Sequence, residues 1–145
     1  MPWLAEPATA KDLPYYGESQ FPFIQLKVAG IERPALPPMD ELTLIDGDFN
    51  FQFVLKNEYR EKLVEAKQRC LRTRAWKMVC TPTVEGSRHF GLFHIESDPN
   101  CLKDVGEDHP EVVTTMRRAL ERWIDEQVET SIEEIFPGGE RALNP

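Results

Sequence analysis

The segment Cys80-Thr81-Pro82-Thr83-Val84 comes closest to a catalytic signature in this sequence. In the pattern C-x-P-x-R a cysteine is converted to a formylglycine nucleophile, and the arginine at the fifth position is required. Val84 occupies that position here, and Cys80 follows the apolar run Trp-Lys-Met-Val. An apolar run of this length is typical of a strand. We therefore interpret Cys80 as a strand residue and not as a nucleophile.

Two other sets of residues could do chemistry, one able to bind zinc and one able to act as an acid/base pair. The zinc set is Cys80, Cys101, His89 and His94. Its spacings match no zinc finger or ribbon, and both histidines fall on a predicted strand. Asp46 and Asp48 lie beside a glycine in a predicted turn, whereas paired carboxylates need a pocket. The sequence thus predicts no catalytic, cofactor-binding or metal-ligating residue, and a small metal-binding or redox protein is kept as a third alternative.

Composition excludes further classes of protein. The 145 residues carry 17 Lys+Arg and 25 Asp+Glu, a net charge of −8, which disfavours nucleic acid as a partner. The apolar runs fall short of the roughly 20 residues that cross a bilayer, so no membrane partner is expected. The three cysteines form no C-x-x-C pair, and the N-terminal residues lack a signal-peptide pattern. Free thiols favour a cytoplasmic location, and the location is otherwise unknown from the sequence.

Proline sets the character of the first part of the chain. Seven of the 12 prolines fall within residues 1–40, which predicts an extended segment with short strands at Leu13–Tyr16 and Phe21–Val28. At the other end, Pro137-Gly138-Gly139 interrupts regular structure and predicts a tail of low order over residues 131–145.

A hairpin and a short helix are predicted next. Apolar residues alternate with polar ones on both sides of Asp46-Gly47, a strong hairpin signal. Alternation would place Phe49, Phe51 and Phe53 on one face, which we interpret as a core face and not as an aromatic binding platform. Asn57 is expected to cap a helix that continues to about Gln68.

The remaining residues predict strands followed by one long helix. Arg69–Thr73, Trp76–Thr81 and Arg88–Ile95 read as antiparallel strands because the separations suit hairpins. A helix from about 109 to 128 is predicted, capped by Asp108 and Glu111 with Pro110 in its first turn. The expected fold is α+β: a small antiparallel sheet of about four strands, a C-terminal amphipathic helix packed on it, and an extended Pro-rich N-terminal segment.

Four blocks between Lys67 and Trp123 occur in the same order in a known family. Residues 67–79, KQRCLRTRAWKMV, are similar to R-x-x-R-T-x-x-[YW]-K-[LM]-[IV], and residues 91–99, GLFHIESDP, to E-L-[YF]-D-L-x-x-D-P. Residues 100–105 fill the place of G-E-x-x-N-L, and residues 109–123 resemble the helix that follows. The chain thus resembles the C-terminal portion of the sulfatase family, within the alkaline-phosphatase-like superfamily. Its departures from these patterns are Gly91, His94 and Asn100-Cys101.

The resemblance implies a division of labour. In the family a large α/β domain holds the formylglycine, a divalent cation such as calcium, and the residues that bind sulfate. The C-terminal subdomain is an antiparallel sheet of about four strands with one helix across it; it buttresses the catalytic domain and shapes the outer substrate cleft. None of the catalytic or metal positions has a counterpart here. The chain is therefore expected to be non-catalytic alone, with no cofactor of its own, and to have a sulfuric ester hydrolase as its parent.

The same resemblance divides the chain into a Pro-rich extended segment (1–40), a sulfatase C-terminal-like α+β domain (41–130) and a tail (131–145). It implies that the partner is a sulfatase catalytic domain in cis, and that an apolar patch is left exposed. The alternative is a stand-alone α+β module for protein interaction or dimerisation. Homo-oligomerisation is left open, and the substrate of the parent is not defined by these residues.

Overall fold

The strands of the protein form two antiparallel sheets. The computed structural model describes residues 13–19 and 29–139. A four-stranded sheet has the order β1-β4-β5-β6, and a two-stranded sheet pairs β2 with β3. The strands are β1 (Tyr15–Glu18), β2 (Thr43–Asp46), β3 (Gln52–Leu55), β4 (Arg69–Arg72), β5 (Trp76–Pro82) and β6 (Arg88–His94). The helices are α1 (Met39–Leu42), α2 (Arg60–Glu65), α3 (Pro110–Glu126) and α4 (Ile132–Ile135).

The predicted α+β class is confirmed, with an antiparallel sheet of four strands and a C-terminal helix packed against it. The described residues divide into two compact units. One comprises residues 13–16, 71–78 and 92–139, and the other comprises residues 17–19, 29–70 and 79–91. None of the helices in these ranges is long and apolar enough to cross a membrane.

Helix α3 packs one face inward, as its apolar stripe predicts. Its buried residues recur at helical spacing. At its C-terminal half, the ring of Trp123 lies 5.4 Å from the ring of Tyr16 in β1, measured between centroids. The inward-facing residues of α3 are Val112, Met116, Ala119 and Leu120.

Both ends of α3 differ in detail from the prediction. His109 is the N-cap, because its carbonyl accepts the first helical hydrogen bond, from Val113 N–H. The N-cap side chain makes no capping hydrogen bond, and the predicted capping by Asp108 is wrong because Asp108 lies in the turn before the N-cap, one residue too early. The helix ends at Glu126, since Gln127 has a left-handed backbone with φ 59°.

Short elements elsewhere also shift from their predicted bounds. Asn57 starts a 3-10 turn, Asn57–Tyr59, whose N-cap is Lys56, so its predicted capping role is wrong. The helix that follows stops at Glu65, because Gln68 is already bonded to Ser19 through both its N–H and its carbonyl. The predicted strand Phe21–Val28 lies outside the described residues. Within the segment assigned to the tail, α4 carries a capping box between Ser131 and Glu134.

Burial of Tyr16 makes the fold sensitive to alkaline pH. Its hydroxyl donates to Thr130 O at 3.2 Å and accepts from Thr130 N–H at 3.1 Å. Burial, more than any other cause, raises the pKa of Tyr16. The folded chain therefore holds this proton more tightly than the unfolded chain. The resulting stability is complete below about pH 10 and is lost as pH rises through the raised pKa.

We expect Tyr16→Phe to lower the free energy of unfolding by about 1–2 kcal/mol at neutral pH, because Thr130 loses two hydrogen bonds. The variant should also lose less stability than the wild type between neutral pH and about pH 11. Urea unfolding across this range measures both effects. Tyr15→Phe, at an exposed residue, is the control. An alkaline loss equal in wild type and Tyr16→Phe would contradict the assignment.

Candidate functional site

Cys80, the residue closest to a catalytic signature, is buried in β5. Pro82 is the last residue of the same strand, and Val84 lies in the turn that follows, where its N–H donates to Glu32 O at 2.8 Å. A nucleophile has to be reached by its substrate, and a buried strand thiol is not. The residues of the C-x-P segment therefore belong to strand β5 and to the turn that follows it.

Apart from His89, which is exposed in β6, the residues weighed as metal ligands or acid/base groups are used in packing and in turns. Across residues 13–19 and 29–139, no group of three or more His, Cys, Asp or Glu side chains is arranged to hold a metal ion. His94 Nδ1 lies 2.8 Å from Ser97 Oγ. Asp46 Oδ1 accepts the N–H of Asp48 at 2.9 Å, an interaction that shapes the turn after β2.

Trp76 is the centre of an aromatic cluster. The indole is fully buried, and the rings of His94 and His109 both lie 4.8 Å from it in edge-on orientation. Such geometry suits the quadrupole of the indole. Two ring nitrogens of the cluster, Trp76 Nε1 and His94 Nε2, are buried without a hydrogen-bond partner among the described residues.

The residues that carry the family resemblance stabilise turns. Thr73 joins β4 to β5: its N–H donates to Trp76 O at 2.8 Å, and its hydroxyl accepts from Trp76 N–H at 3.2 Å. Asp98 Oδ2 accepts the N–H groups of Leu102 and Lys103 at 2.6 and 2.9 Å. Each of these residues satisfies backbone groups that a turn would leave unpaired.

A cleft of about 200 Å³ lies between α3 and α4. Arg118 and Arg122 line it, but so does Glu134, and Arg122 is paired with Glu126 at 3.5 Å. Hydrogen bonds from Ser131 lower the pKa of Glu134, which keeps its carboxylate charged. The positive and negative charges offset each other, so the cleft offers no strong field for an anion or a cation.

The hairpin of β2 and β3 exposes a set of large apolar side chains, which we call the hairpin patch. Ile45 and Phe53 are paired across the two strands, so their side chains share one face. Phe49 and Phe51 lie in the loop that connects the strands. Exposure is 59% for Ile45, 62% for Phe49, 76% for Phe51 and 72% for Phe53. The predicted core face is therefore wrong, although the hairpin itself is confirmed.

The loop explains why the phenylalanines do not form a regular face. The chain reverses at Asn50-Phe51, where both residues have positive φ, 56° and 58°. Gln52 N–H donates to Phe49 O at 3.1 Å across this turn. Positive φ at both central residues is the pattern of a type I′ turn, which favours glycine at the second of them. Phe51 occupies that position, at a cost of about 1–2 kcal/mol.

Side chains at the base of the hairpin keep it in place. Lys56 N–H donates to Leu42 O at 3.0 Å, and Lys56 Nζ donates to Glu41 O at 2.7 Å. The Tyr59 hydroxyl donates to Glu41 Oε1 at 3.0 Å, and this carboxylate raises the pKa of Tyr59. The base is thus polar and hydrogen-bonded, while the tip is apolar and exposed.

Comparison with known proteins found no relative of this chain. A scan of protein-family models found no match to the chain, and neither did searches of curated proteins and of solved structures. Function therefore has to be inferred from the residues of the chain itself.

The hairpin patch is not evident from the sequence, because the period-two alternation of apolar residues continues through residues that form the loop. A turn former, Asn50, stands between Phe49 and Phe51. This was the one signal that the two rings belong to a reversal and not to a strand. The number of apolar residues alone cannot show whether a face is covered.

We expect Trp76→Ala to lower the free energy of unfolding by about 3–5 kcal/mol, since it empties the centre of the aromatic cluster. Trp76→Phe should cost less, because it keeps a ring and removes a buried N–H that has no partner among the described residues. Denaturant unfolding measures both. Leu102→Ala, at a side chain that is 84% exposed, should stay within about 0.5 kcal/mol of wild type. Equal losses for Trp76→Ala and Leu102→Ala would rule out a central role for Trp76.

Proposed function

We propose that this chain is the C-terminal subdomain of a sulfatase-like sulfuric ester hydrolase. In this role it buttresses the catalytic domain and shapes the outer part of the substrate cleft. It contributes no nucleophile and no metal ligand. A divalent cation and the formylglycine belong to the catalytic domain that the resemblance implies.

The observation that carries the proposal is the position of the four family blocks on the fold. The first block spans β4, its turn and the first part of β5, and the second spans the end of β6 and the turn after it. The third lies in the loop before α3, and the fourth forms α3 itself. This is the order of strands and helix that the resemblance implies for the C-terminal subdomain.

The roles of the block residues support a structural part for the chain. Thr73 and Asp98 satisfy turns, and Trp76 fills the space between a strand and the start of α3. Cys80, which directly follows the first block, is buried in the sheet. Residues of this kind hold a scaffold rigid, which is what a supporting subdomain requires.

The first test is the DNA upstream of Met1. We expect an in-frame extension that encodes C-x-P-x-R within a larger α/β domain. A stop codon with a ribosome-binding site directly ahead of Met1 would contradict the proposal and favour the stand-alone module.

A second test is direct assay of the purified 145-residue chain. We expect no turnover of 4-nitrophenyl sulfate or 4-nitrophenyl phosphate, with or without added calcium, because the nucleophile and the metal ligands lie in the catalytic domain. Turnover that co-purifies with the chain and changes on Trp76→Ala would show that the chain is itself an enzyme. The matched control is a preparation from cells that lack the gene.

A further inference from the structure

We propose that the cleft between α3 and α4 binds a small α-amino acid as its zwitterion. In this arrangement the carboxylate of the ligand lies against Arg118 and Arg122 of α3, and its ammonium lies against Glu134 of α4. Both helices belong to the same compact unit. The inference does not rest on the proposed function, because the cleft is formed by this unit whether or not a catalytic domain precedes it.

Helix α3 supplies the cationic wall of the cleft. The residues of α3 that line it, Thr115, Arg118, Ala119 and Arg122, are spaced three or four apart, so their side chains share one face of the helix. Arg122 is paired with Glu126 at 3.5 Å, whereas Arg118 takes part in no ion pair with another described residue. Guanidinium groups bind carboxylates through charge-assisted, often bidentate hydrogen bonds. This wall is therefore suited to the carboxylate of the ligand.

Thr130 lines the cleft with a buried hydroxyl that lacks a partner. The side chain is 8% exposed, and Oγ1 makes no hydrogen bond to another described residue. The backbone of Thr130 is fixed by its two hydrogen bonds to the hydroxyl of Tyr16, so the residue is held at the cleft. Buried polar groups in native structures nearly always have a partner. A hydroxyl can donate one hydrogen bond and accept two, so either charged group of an amino acid can satisfy it.

Glu134 supplies the anionic side of the cleft. The N–H and the hydroxyl of Ser131 both donate to Oε2 of Glu134 at 2.9 Å, which holds the carboxylate in place and leaves Oε1 for the ammonium of a ligand. These hydrogen bonds, and to a smaller extent the charge of Arg122, lower the pKa of Glu134. Among the described residues Arg122 pairs with Glu126 and not with Glu134. Charges of opposite sign thus line one cleft without being paired to each other.

The size and the lining of the cleft define the class of ligand. Its volume of about 200 Å³ holds roughly seven water molecules at ~30 Å³ each, which suits a small amino acid and not a nucleotide. A simple anion would be repelled by Glu134, and a simple cation by the two arginines, whereas a zwitterion meets both signs. Ala119 and Ile135 are the apolar lining residues, so the side chain of the ligand should be apolar.

Titration of the ¹⁵N-labelled full chain, followed by NMR, tests the proposal with L-alanine, L-valine and L-leucine as probes. For at least one probe we expect saturable shifts of the amide signals of Ala119, Thr130 and Ile135, with a dissociation constant of about 1 mM. The matching carboxylic acid and the matching amine, each lacking one charged group, should bind at least tenfold more weakly. The proposal is overturned if no probe gives saturable shifts up to about 20 mM. It is overturned equally if the carboxylic acid binds as tightly as the amino acid, since the cleft would then be a simple anion site.

Variants of the lining residues locate the binding in the cleft. Arg118→Gln and Glu134→Gln should each raise the dissociation constant at least tenfold, and Glu134→Gln keeps an oxygen that can accept from Ser131. Thr130→Val should also weaken binding while leaving the urea midpoint unchanged or higher, because the lost hydroxyl has no partner among the described residues.

The matched control is Arg117→Gln, which makes the same change of charge one residue away. Arg117 is paired with Glu121 at 3.1 Å and does not line the cleft. The control should leave the dissociation constant within twofold of wild type. Equal weakening by Arg117→Gln and Arg118→Gln would show that the ligand responds to the overall charge of α3, and the assignment to the cleft would be wrong.

Discussion

The indole of Trp76 packs against two imidazoles that come from different parts of the chain, His94 at the end of β6 and His109 at the start of α3. This contact joins a hairpin, a strand and a helix through one buried side chain. Thr73 stabilises the turn before Trp76 through hydrogen bonds to the backbone N–H and carbonyl of Trp76. The end of β6 and the start of α3 therefore each contribute a ring that packs against this indole.

Signals that act over a few residues allowed much of the fold to be predicted. Asp46-Gly47 predicted a hairpin, and Pro110 predicted the first turn of α3, because turn chemistry and proline restrict the local backbone. Capping was harder to predict. Asp108 has the right side chain, yet it still belongs to the preceding turn, and the first helical hydrogen bond is accepted by His109. A cap depends on where the neighbouring turn ends, which spacing alone does not define.

The candidate site escaped sequence reasoning for a different physical reason. Period-two alternation shows which residues share a face but not whether another layer covers that face. Phe53 followed the expected period and is exposed nonetheless. By contrast, the assignment of Cys80 to a strand depended only on its local run and agrees with its burial in β5. Coverage is a tertiary property, and a single sequence carries little record of it.

Two groups of residues in this chain thus have opposite effects on the free energy of the fold. Residues of the family blocks, such as Thr73 and Asp98, lower the free energy of the fold by satisfying turns. Phe51 raises it, since it combines a left-handed backbone with an exposed ring. The block residues thus stabilise the described fold, whereas Phe51 lowers its stability and leaves its ring exposed.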